Sequence, residues 1–250
     1  MKSEFVLSGK EQLTKMVWAF HFTADELPNW TAGQYMEWVL PHDSADKRGI
    51  RRFFTICSSP MEKDLMLATK IIDKPSSFKA KLRDMNIGDP ITARDVDGDF
   101  VLPKNPQEKL VFIAGGIGIT PFRSMVKYLL DMGEKCDIVL LYSNKGSSDV
   151  AFSGLFKDAE KIGLKTINFF TKNPKPNKHT YEVEQAVSGY VDEIAIKKYV
   201  ADWQERTFYV SGPEPMVEAF EKMLQQMGVK GRQLKTDYFP GYSETYQSSS

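Results

Sequence analysis

The chain has 250 residues, of which 42% are hydrophobic and 26% charged, values typical of globular proteins that exclude a disordered or fibrous chain. Its 33 basic and 33 acidic residues cancel, so no basic surplus indicates nucleic-acid binding. Two cysteines, Cys57 and Cys136, are too few for a disulfide framework, a zinc site or an iron–sulfur cluster. The N-terminus lacks a signal-peptide profile, and the longest apolar stretch, 110–122, is too short to span a bilayer. We therefore expect a cytoplasmic protein without a membrane segment.

The first hundred residues are predicted to form short β-strands. Alternating apolar residues indicate a strand at 16–22. Further strands are predicted at 35–40, 52–56 and 64–72, separated by turn residues such as Gly33-Gln34 and Gly88-Asp89. One short helix is predicted to begin at Ser76 or Ser77 and to run through Leu82. Many short strands at this spacing predict a small antiparallel β-barrel.

The pattern changes from about residue 110 onwards. Apolar strands are predicted at 110–114, 138–142, 167–170 and 208–210, and they alternate with helices at 121–130, 152–162 and 215–227. Such alternation predicts a parallel sheet covered by helices on both faces. The polar, proline-bearing segment 102–106 marks a boundary, giving domains 1–104 and 105–250. Residues 172–178 are predicted to be an exposed loop and 247–250 a frayed tail.

A glycine-rich turn at the end of the first predicted parallel strand is the most informative stretch. Gly115, Gly116 and Gly118 follow the apolar run, and Pro121 then begins a helix. Glycines let the backbone approach a phosphate closely, and a helix N-terminus supplies free N–H groups and partial positive charge. Tight strand-to-helix packing is the alternative explanation. The place of the turn between strand and helix favours binding of a dinucleotide pyrophosphate.

A second turn of this kind follows the strand predicted at 208–210. Ser211, Gly212 and Pro213 come after that strand, and Pro215 begins the next helix. Ligands of open α/β sheets bind beyond the carboxyl ends of the strands, so we expect the two turns to face one crevice. Either turn alone could be an ordinary strand-to-helix connection. Together they predict a dinucleotide site.

The first half carries a second set of candidate binding residues. One predicted strand holds Arg52, Phe53, Phe54 and Thr55. An arginine binds phosphate oxygens through a bidentate fork, a planar aromatic ring can lie against a flavin, and a hydroxyl can bond the flavin edge. A surface strand with one core face is the alternative. Ser76 and Ser77, at the predicted helix start, suit a second phosphate contact, with simple N-capping equally compatible.

These segments together resemble the ferredoxin–NADP reductase family over nearly the whole chain, from Ala32 to the end. The flavin motif of that family, Arg-x-aromatic-Ser/Thr, is matched by Arg52, Phe54 and Thr55. Its nicotinamide-dinucleotide motif, Gly-Gly-x-Gly-x-Thr-Pro, is matched by Gly115, Gly116, Gly118, Thr120 and Pro121. The later Gly-x-x-x-Met motif is matched by Gly212 and Met216. Order and spacing agree across all three motifs, which makes the resemblance specific.

The resemblance implies an N-terminal antiparallel β-barrel that binds FAD and a C-terminal Rossmann-like α/β domain that binds NAD(P)H. It implies that Arg52 contacts the FAD diphosphate, Phe54 stacks on the isoalloxazine, and Thr55 lies near the reactive flavin nitrogen. Thr55, Ser211 and Asp237 are the implied catalytic residues. The implied cofactor-binding residues also include Phe53, Thr69, Lys70, Ile71, Ser76 and Ser77 on the flavin side, and Gly116, Gly118, Thr120, Lys145, Gly212, Pro213 and Met216 on the nicotinamide side.

Three departures from the family pattern affect the expected site. Ser211 stands where plant-type members usually have Cys, and Phe54 replaces the commoner Tyr. The chain also continues past the aromatic residues at which the family pattern stops. Phe239 or Tyr242 is predicted to cover the flavin, with Asp237 nearby as a polar or proton-relay group, while ordinary packing of the aromatic residues is an equal alternative.

The expected activity is hydride transfer between NAD(P)H and FAD, followed by single-electron transfer to a separate acceptor. No histidine is required for the hydride step, and His21, His42 and His179 show no metal-like spacing. By analogy the acceptor is ferredoxin or flavodoxin, or a membrane or haem redox module to which related modules are attached. A rival hypothesis is an FAD-binding electron-relay subunit without its own NAD(P)H reactivity. Lys145 slightly favours NADPH over NADH, although a solvated turn lysine is the alternative.

Overall fold

The structure is a computed structural model that describes residues 2–173 and 186–239, apart from the side chains of residues 2 and 173. Most of the predicted loop at 172–178, the predicted tail, His179 and Tyr242 lie outside these ranges. Within them, the chain forms one antiparallel and one parallel sheet of six strands each.

The antiparallel sheet contains the strands of the first domain. They are β1 Lys2–Gln12, β2 Val17–Thr23, β3 Tyr35–Val39, β4 Arg51–Thr55, β5 Leu65–Lys70 and β6 Pro90–Asp97, in the order β4-β3-β6-β1-β2-β5. The sheet curls until its two edges, β4 and β5, come close to each other. Alternate residues point inward and fill the half-barrel, where Phe5 and Phe22 pack on Trp38 with ring centroids 5.7 and 5.0 Å away. Helix α1, Ser77–Asp84, adds Phe78 and Leu82 to this core.

The parallel sheet contains the strands of the second domain. They are β7 Leu110–Gly115, β8 Ile138–Gly146, β9 Leu164–Asn173, β10 Ala186–Ser188, β11 Thr207–Pro213 and β12 Leu234–Phe239, in the order β10-β9-β8-β7-β11-β12. Helices α2 Thr120–Met132 and α3 Ser153–Asp158 pack on one face, and α4 Glu193–Tyr199 and α5 Glu214–Gln226 on the other. Strands covered on both faces account for the apolar runs seen in the sequence.

The predicted fold class, an antiparallel β-barrel followed by a Rossmann-like parallel sheet, is confirmed. Strands β1, β6, β10 and β12 and helix α4 were not predicted. In β1 only Phe5 and Leu7 are large inward apolar residues, and in β12 the polar run Lys235-Thr236-Asp237 hides the alternation. The helix predicted at 152–162 is α3 followed by a short 3-10 turn. The boundary between domains 1–104 and 105–250 falls in the connection from β6 to β7 and stays a prediction.

Apolar side chains of both domains meet in one buried cluster. Ala19, Cys57 and Ala68 of the barrel pack there with Ile117 and Ala151 of the second domain. The two domains therefore share a buried apolar interface. Across the described ranges, no helix combines the length and the apolar character needed to cross a bilayer.

Replacing Phe112 of β7 by alanine is expected to cost about 3–5 kcal/mol of unfolding free energy, since it leaves a large cavity. Phe112 is fully buried, with its ring centroid 4.5 Å from that of Phe122 and 5.5 Å from that of Tyr209. Met132→Ala, at a residue that is 46% exposed, is the control, expected to change stability by less than about 0.5 kcal/mol. Urea unfolding measures both variants, and equal losses would contradict this packing.

Candidate active site

A cleft of about 890 Å³ opens where the two domains meet. One wall comes from β4 and β5, the edge strands of the half-barrel, and another from Ile117, Thr120 and the end of β12. The volume lies in the range of small-molecule and cofactor sites, about 300–1,000 Å³. Many of the side chains that face the cleft belong to the strands β4, β5 and β12.

Arg52 is held in a fixed position on the wall formed by β4. Its side chain is 8% exposed, and Nη1 donates to the carbonyl oxygens of Arg48, Gly49 and Arg51 at 2.8, 2.9 and 2.6 Å. Nη2 lies 3.3 Å from Oδ1 of Asp46. The buried Nε has no hydrogen-bond partner among the described residues. Burial, reinforced by nearby Arg48, lowers the pKa of this guanidinium.

Asp46 occupies the N-terminus of α1, where sequence reasoning placed a phosphate contact. The backbone N–H of Ser77 donates to Oδ2 of Asp46 at 2.9 Å, and the N–H of Asp46 donates to Oγ of Ser77 at 2.9 Å. Burial would raise the pKa of Asp46, but the N–H groups of Ser77 and Arg48 outweigh it and hold that pKa below its ordinary value. Ser77 is thus engaged by Asp46 in this structure, whereas Ser76 caps α1 and lines the cleft.

The cleft wall carries a surplus of positive charge. Six cationic side chains line it, against two carboxylates: Arg48, Arg51, Arg52, Lys70, Lys74 and Lys79, facing Asp46 and Asp237. Such a surplus attracts an anionic ligand. Sequence reasoning singled out only Arg52 and Lys70, and it missed the others, which belong to two clusters of basic residues, within 47–52 and 70–79.

The remaining predicted flavin-side residues divide into two groups. Thr55, Thr69 and Phe54 line the cleft, together with the 63% exposed Phe53. The Phe54 ring centroid lies 5.8 Å from that of Phe78, so Phe54 also packs against the barrel core. Ile71, by contrast, points into the barrel core, and its N–H is bonded to the carbonyl oxygen of Met16 at 2.7 Å. Its neighbour Ile72 lines the cleft instead.

The glycine turn lies at the point where the order of the parallel sheet reverses. Strands β8 to β10 extend to one side of β7, and β11 and β12 to the other, so a crevice opens between the carboxyl ends of β7 and β11. A 3-10 turn, Gly116–Ile119, leads from β7 into α2. A Cβ at Gly118 would overlap the carbonyl oxygen of Ser211 and lie 2.6 Å from Cα of Gly212. The two predicted turns are therefore in direct contact.

Met216 packs between the two turns. A Cβ at Gly115 would overlap its sulfur, and one at Gly212 would lie 2.7 Å from its Cε. Gly212 and Pro213 end β11 at the crevice, which joins the cleft through Ile117 and Thr120. Lys145 lies inside β8, which continues four residues past its predicted end at 142, and does not line the cleft.

Two of the three predicted catalytic residues, Ser211 and Asp237, lie on adjacent strands, and the third, Thr55, lies on β4 of the other sheet. Ser211 is fully buried on β11, and its Oγ donates to Oδ2 of Asp237 on β12 at 3.4 Å. Burial raises the pKa of the Asp237 carboxyl to about 6, although the Ser211 hydrogen bond partly offsets this. Thr55 and Asp237 both line the cleft. Phe239 also lines it and packs in the apolar cluster between the domains, whereas Tyr238 is 53% exposed.

Residues 2–173 and 186–239 contain no group of three or more His, Cys, Asp or Glu side chains suited to a metal ion. The free thiol of Cys57 is buried, which raises its pKa to about 12.

Comparisons with known proteins match both halves of this architecture. Residues 112–222 match the family model described as "Oxidoreductase NAD-binding domain". The whole fold is similar to that of a ferredoxin NADP+ reductase from Neisseria gonorrhoeae with bound FAD and NADP. The TM-score is 0.79 at 18% identity, over 95% of this chain and 98% of that one. The expected cofactors, FAD and a nicotinamide dinucleotide, agree with these matches.

Curated relatives include haem-containing and multi-component systems. The chain is 27% identical to a flavohemoprotein of Candida albicans over 226 residues, covering 86% of this chain and 52% of the relative. It is 25% identical to a stachydrine N-demethylase reductase subunit of Rhizobium meliloti over 246 residues, covering 96% and 68%. The chain thus spans about half the length of the flavohemoprotein.

Gly118→Ala is expected to cost about 2–3 kcal/mol of stability, because the added methyl group overlaps backbone atoms of β11 that cannot move aside. Gly154→Ala in α3 is the matched control, since a Cβ there meets no atom of the described residues within 4 Å. Thermal unfolding compares the two variants. A Gly118→Ala protein as stable as the control would show that the turns are not in contact.

Asp237→Asn is expected to stabilise the protein at neutral pH but not in acid. The carboxyl ionises at its ordinary pKa of 3.8 in the unfolded chain and at about 6 in the folded protein, so wild-type stability falls as pH rises between these values. Asparagine stays neutral and avoids that loss. The variant should melt at a higher temperature than wild type at about pH 8 and at a similar one at about pH 4. A difference in melting temperature independent of pH would contradict the raised pKa.

Proposed function

Since the chain has the two-domain fold of the ferredoxin–NADP reductases and carries an oxidoreductase NAD-binding domain, we propose that it is an FAD-dependent NAD(P)H oxidoreductase. In this proposal, a hydride passes between NAD(P)H and FAD in the cleft, and electrons then leave singly for a separate acceptor. The observation that carries the proposal is the contact between the glycine turn and the cationic cleft, through Ile117 and Thr120.

The donor set of the cleft suits FAD. The buried Nε of Arg52, without a partner among the described residues, and the surrounding cations suit a diphosphate. Phe54 and Phe53 offer aromatic surface for the isoalloxazine, and Phe239 lies on the β12 side of the same cleft. When bound, FAD supplies the redox chemistry, because it can accept a hydride and release electrons one at a time. The protein contributes binding, orientation and electrostatics.

The nicotinamide dinucleotide is assigned to the crevice between β7 and β11. Gly116, where an added Cβ would meet no described atom within 4 Å, leaves the backbone open to a pyrophosphate at the start of α2, while Gly118 holds this turn against β11. Gly212 and Pro213 form the opposite side. Thr120 lines the cleft, so a nicotinamide ring bound near it would approach a flavin held against β4. NADPH remains the favoured coenzyme, with Lys145 of β8 as the proposed contact for the 2′-phosphate.

Thr55, Ser211 and Asp237 are proposed to surround the reacting atoms. The Thr55 hydroxyl lies at the end of β4, where it can hydrogen-bond the flavin edge. Asp237, with its pKa of about 6, can hold or release a proton near neutral pH, and Ser211 positions its carboxyl group. Asp237 is therefore the proposed proton relay.

The proposed electron acceptor is a ferredoxin, a flavodoxin or a haem-containing redox module. The relatives support a haem-containing or oxygenase-type redox partner, since one is a flavohemoprotein and another a reductase subunit of a demethylase. Ferredoxin and flavodoxin are proposed from the family resemblance. A cytoplasmic location is part of the same proposal.

The test is FAD-dependent oxidation of NADPH or NADH with ferricyanide as a one-electron acceptor. We expect turnover by the FAD-loaded wild type, and at least about tenfold weaker FAD binding in Arg52→Gln, which loses a charge-assisted contact worth about 1.5–3 kcal/mol. Arg83→Gln, at an exposed arginine on α1, is the control and should bind FAD like wild type. Bound FAD without turnover on either nucleotide would favour an electron-relay subunit. A chain that takes up no FAD contradicts the proposal.

A further inference from the structure

An ion pair between the buried Arg123 and the partly exposed Glu62 joins the two domains beside the cleft. Arg123, in the first turn of α2, is 7% exposed, and Nη2 donates to Oε1 of Glu62 at 2.9 Å. Nη1 bonds the second carboxylate oxygen of Glu62 and also donates to the carbonyl oxygen of Cys57 at 3.1 Å. Next to it, Oγ of Ser124 donates to the carbonyl oxygen of Ser58 at 2.6 Å. We call these contacts between 57–62 and Arg123-Ser124 the interdomain clamp.

Each half of the clamp is itself held in place. The Ser59 N–H donates to Oε2 of Glu62 at 2.6 Å, which fixes the carboxylate within its own turn. The Arg123 guanidinium lies 5.7 Å from the ring centroid of Phe152. Burial alone would lower the pKa of Arg123, but the hydrogen bonds that it donates to Glu62 and the nearby negative charges together outweigh burial and raise that pKa. The contact is therefore bidentate, and each partner is held by a further contact of its own.

The clamp connects the two segments that would hold the reactants. Segment 57–62 follows β4 almost directly, and β4 carries Phe54 and Thr55 on the cleft wall. Arg123 lies in the same helical turn as Thr120, which lines the cleft from the other domain. A displacement between Arg123 and Glu62 would thus change the distance between β4 and the start of α2.

We propose that Arg123 and Glu62 are positioning residues that set the distance between the flavin-holding strand β4 and the nicotinamide-holding helix α2. This inference rests on the proposed function. Hydride transfer requires the reacting atoms to be about 3–3.5 Å apart, and a misplacement of about 1 Å can cost about 100-fold in rate. The apolar cluster between the domains is non-directional, whereas a bidentate ion pair fixes both distance and angle. Neither residue needs to touch a reactant.

The test compares Arg123→Met, Arg123→Lys and Glu62→Gln with wild type, all loaded with FAD. Stopped-flow flavin bleaching gives the limiting rate at saturating nucleotide and the apparent nucleotide Kd. We expect the limiting rate of Arg123→Met to fall about 10–100-fold, with Kd changed much less, and Arg123→Lys to recover part of the rate. Lys127→Met is the control, because it removes an ion pair made entirely within α2, between Lys127 and Asp131.

Hydrogen exchange of the chain without cofactor supplies a second readout. Amides of 57–62, including the Ser59 N–H bonded to Glu62, should exchange faster in Arg123→Met and Glu62→Gln but not in Lys127→Met. A folded Arg123→Met variant with the wild-type limiting rate would overturn the inference, and if that variant does not fold, an unchanged rate in Glu62→Gln would do so. A wild type that never bleaches would instead refute the proposed function, and exchange alone would then decide whether the clamp joins the domains.

Discussion

The close approach of the glycine turn to the end of β11 is the contact on which the rest of the site depends. Gly118 lies so near the Ser211 carbonyl that no side chain fits, and this nearness brings Ile117 and Thr120 to the cleft wall. The same contact keeps Ser211 buried beside Asp237, whose carboxyl group then loses water and keeps its proton to higher pH. The contact between Gly118 and Ser211 thus determines the backbone packing, the shape of the crevice and the raised pKa of Asp237.

The cleft has two parts that differ in charge: a cationic part around Arg52 and a part around the buried carboxyl group of Asp237. Around Arg52, cations gather against Asp46, and this part suits a diphosphate. Around Asp237, burial rather than charge pairing governs the pKa, and this part suits proton handling. Asp46 also accepts the Ser77 N–H that an incoming phosphate could use.

Local sequence patterns predicted much of this arrangement. The strand, the turn and the helix start were predicted from the glycines at 115, 116 and 118 and from Pro121. This was possible because the residues that form each of these features lie close together in the sequence. The β-type segment 52–56 predicted a strand with Thr55 near its end. What the sequence could not reveal depends on contacts between distant segments. Nothing local marks Glu62 as the partner of Arg123, or Asp46 as the residue that engages Ser77, because the fold alone brings these pairs together.

The proposed function requires flavin and nicotinamide to meet in one cleft, with β4 on one side and the glycine turn on the other. An anaerobic visible spectrum of the FAD-loaded chain, recorded during addition of NADPH and separately of NADH, tests this requirement. We expect prompt loss of the oxidised flavin bands, complete at about one equivalent of the preferred nucleotide, since one hydride carries both electrons. Tightly bound flavin that stays oxidised with an excess of both nucleotides would contradict it.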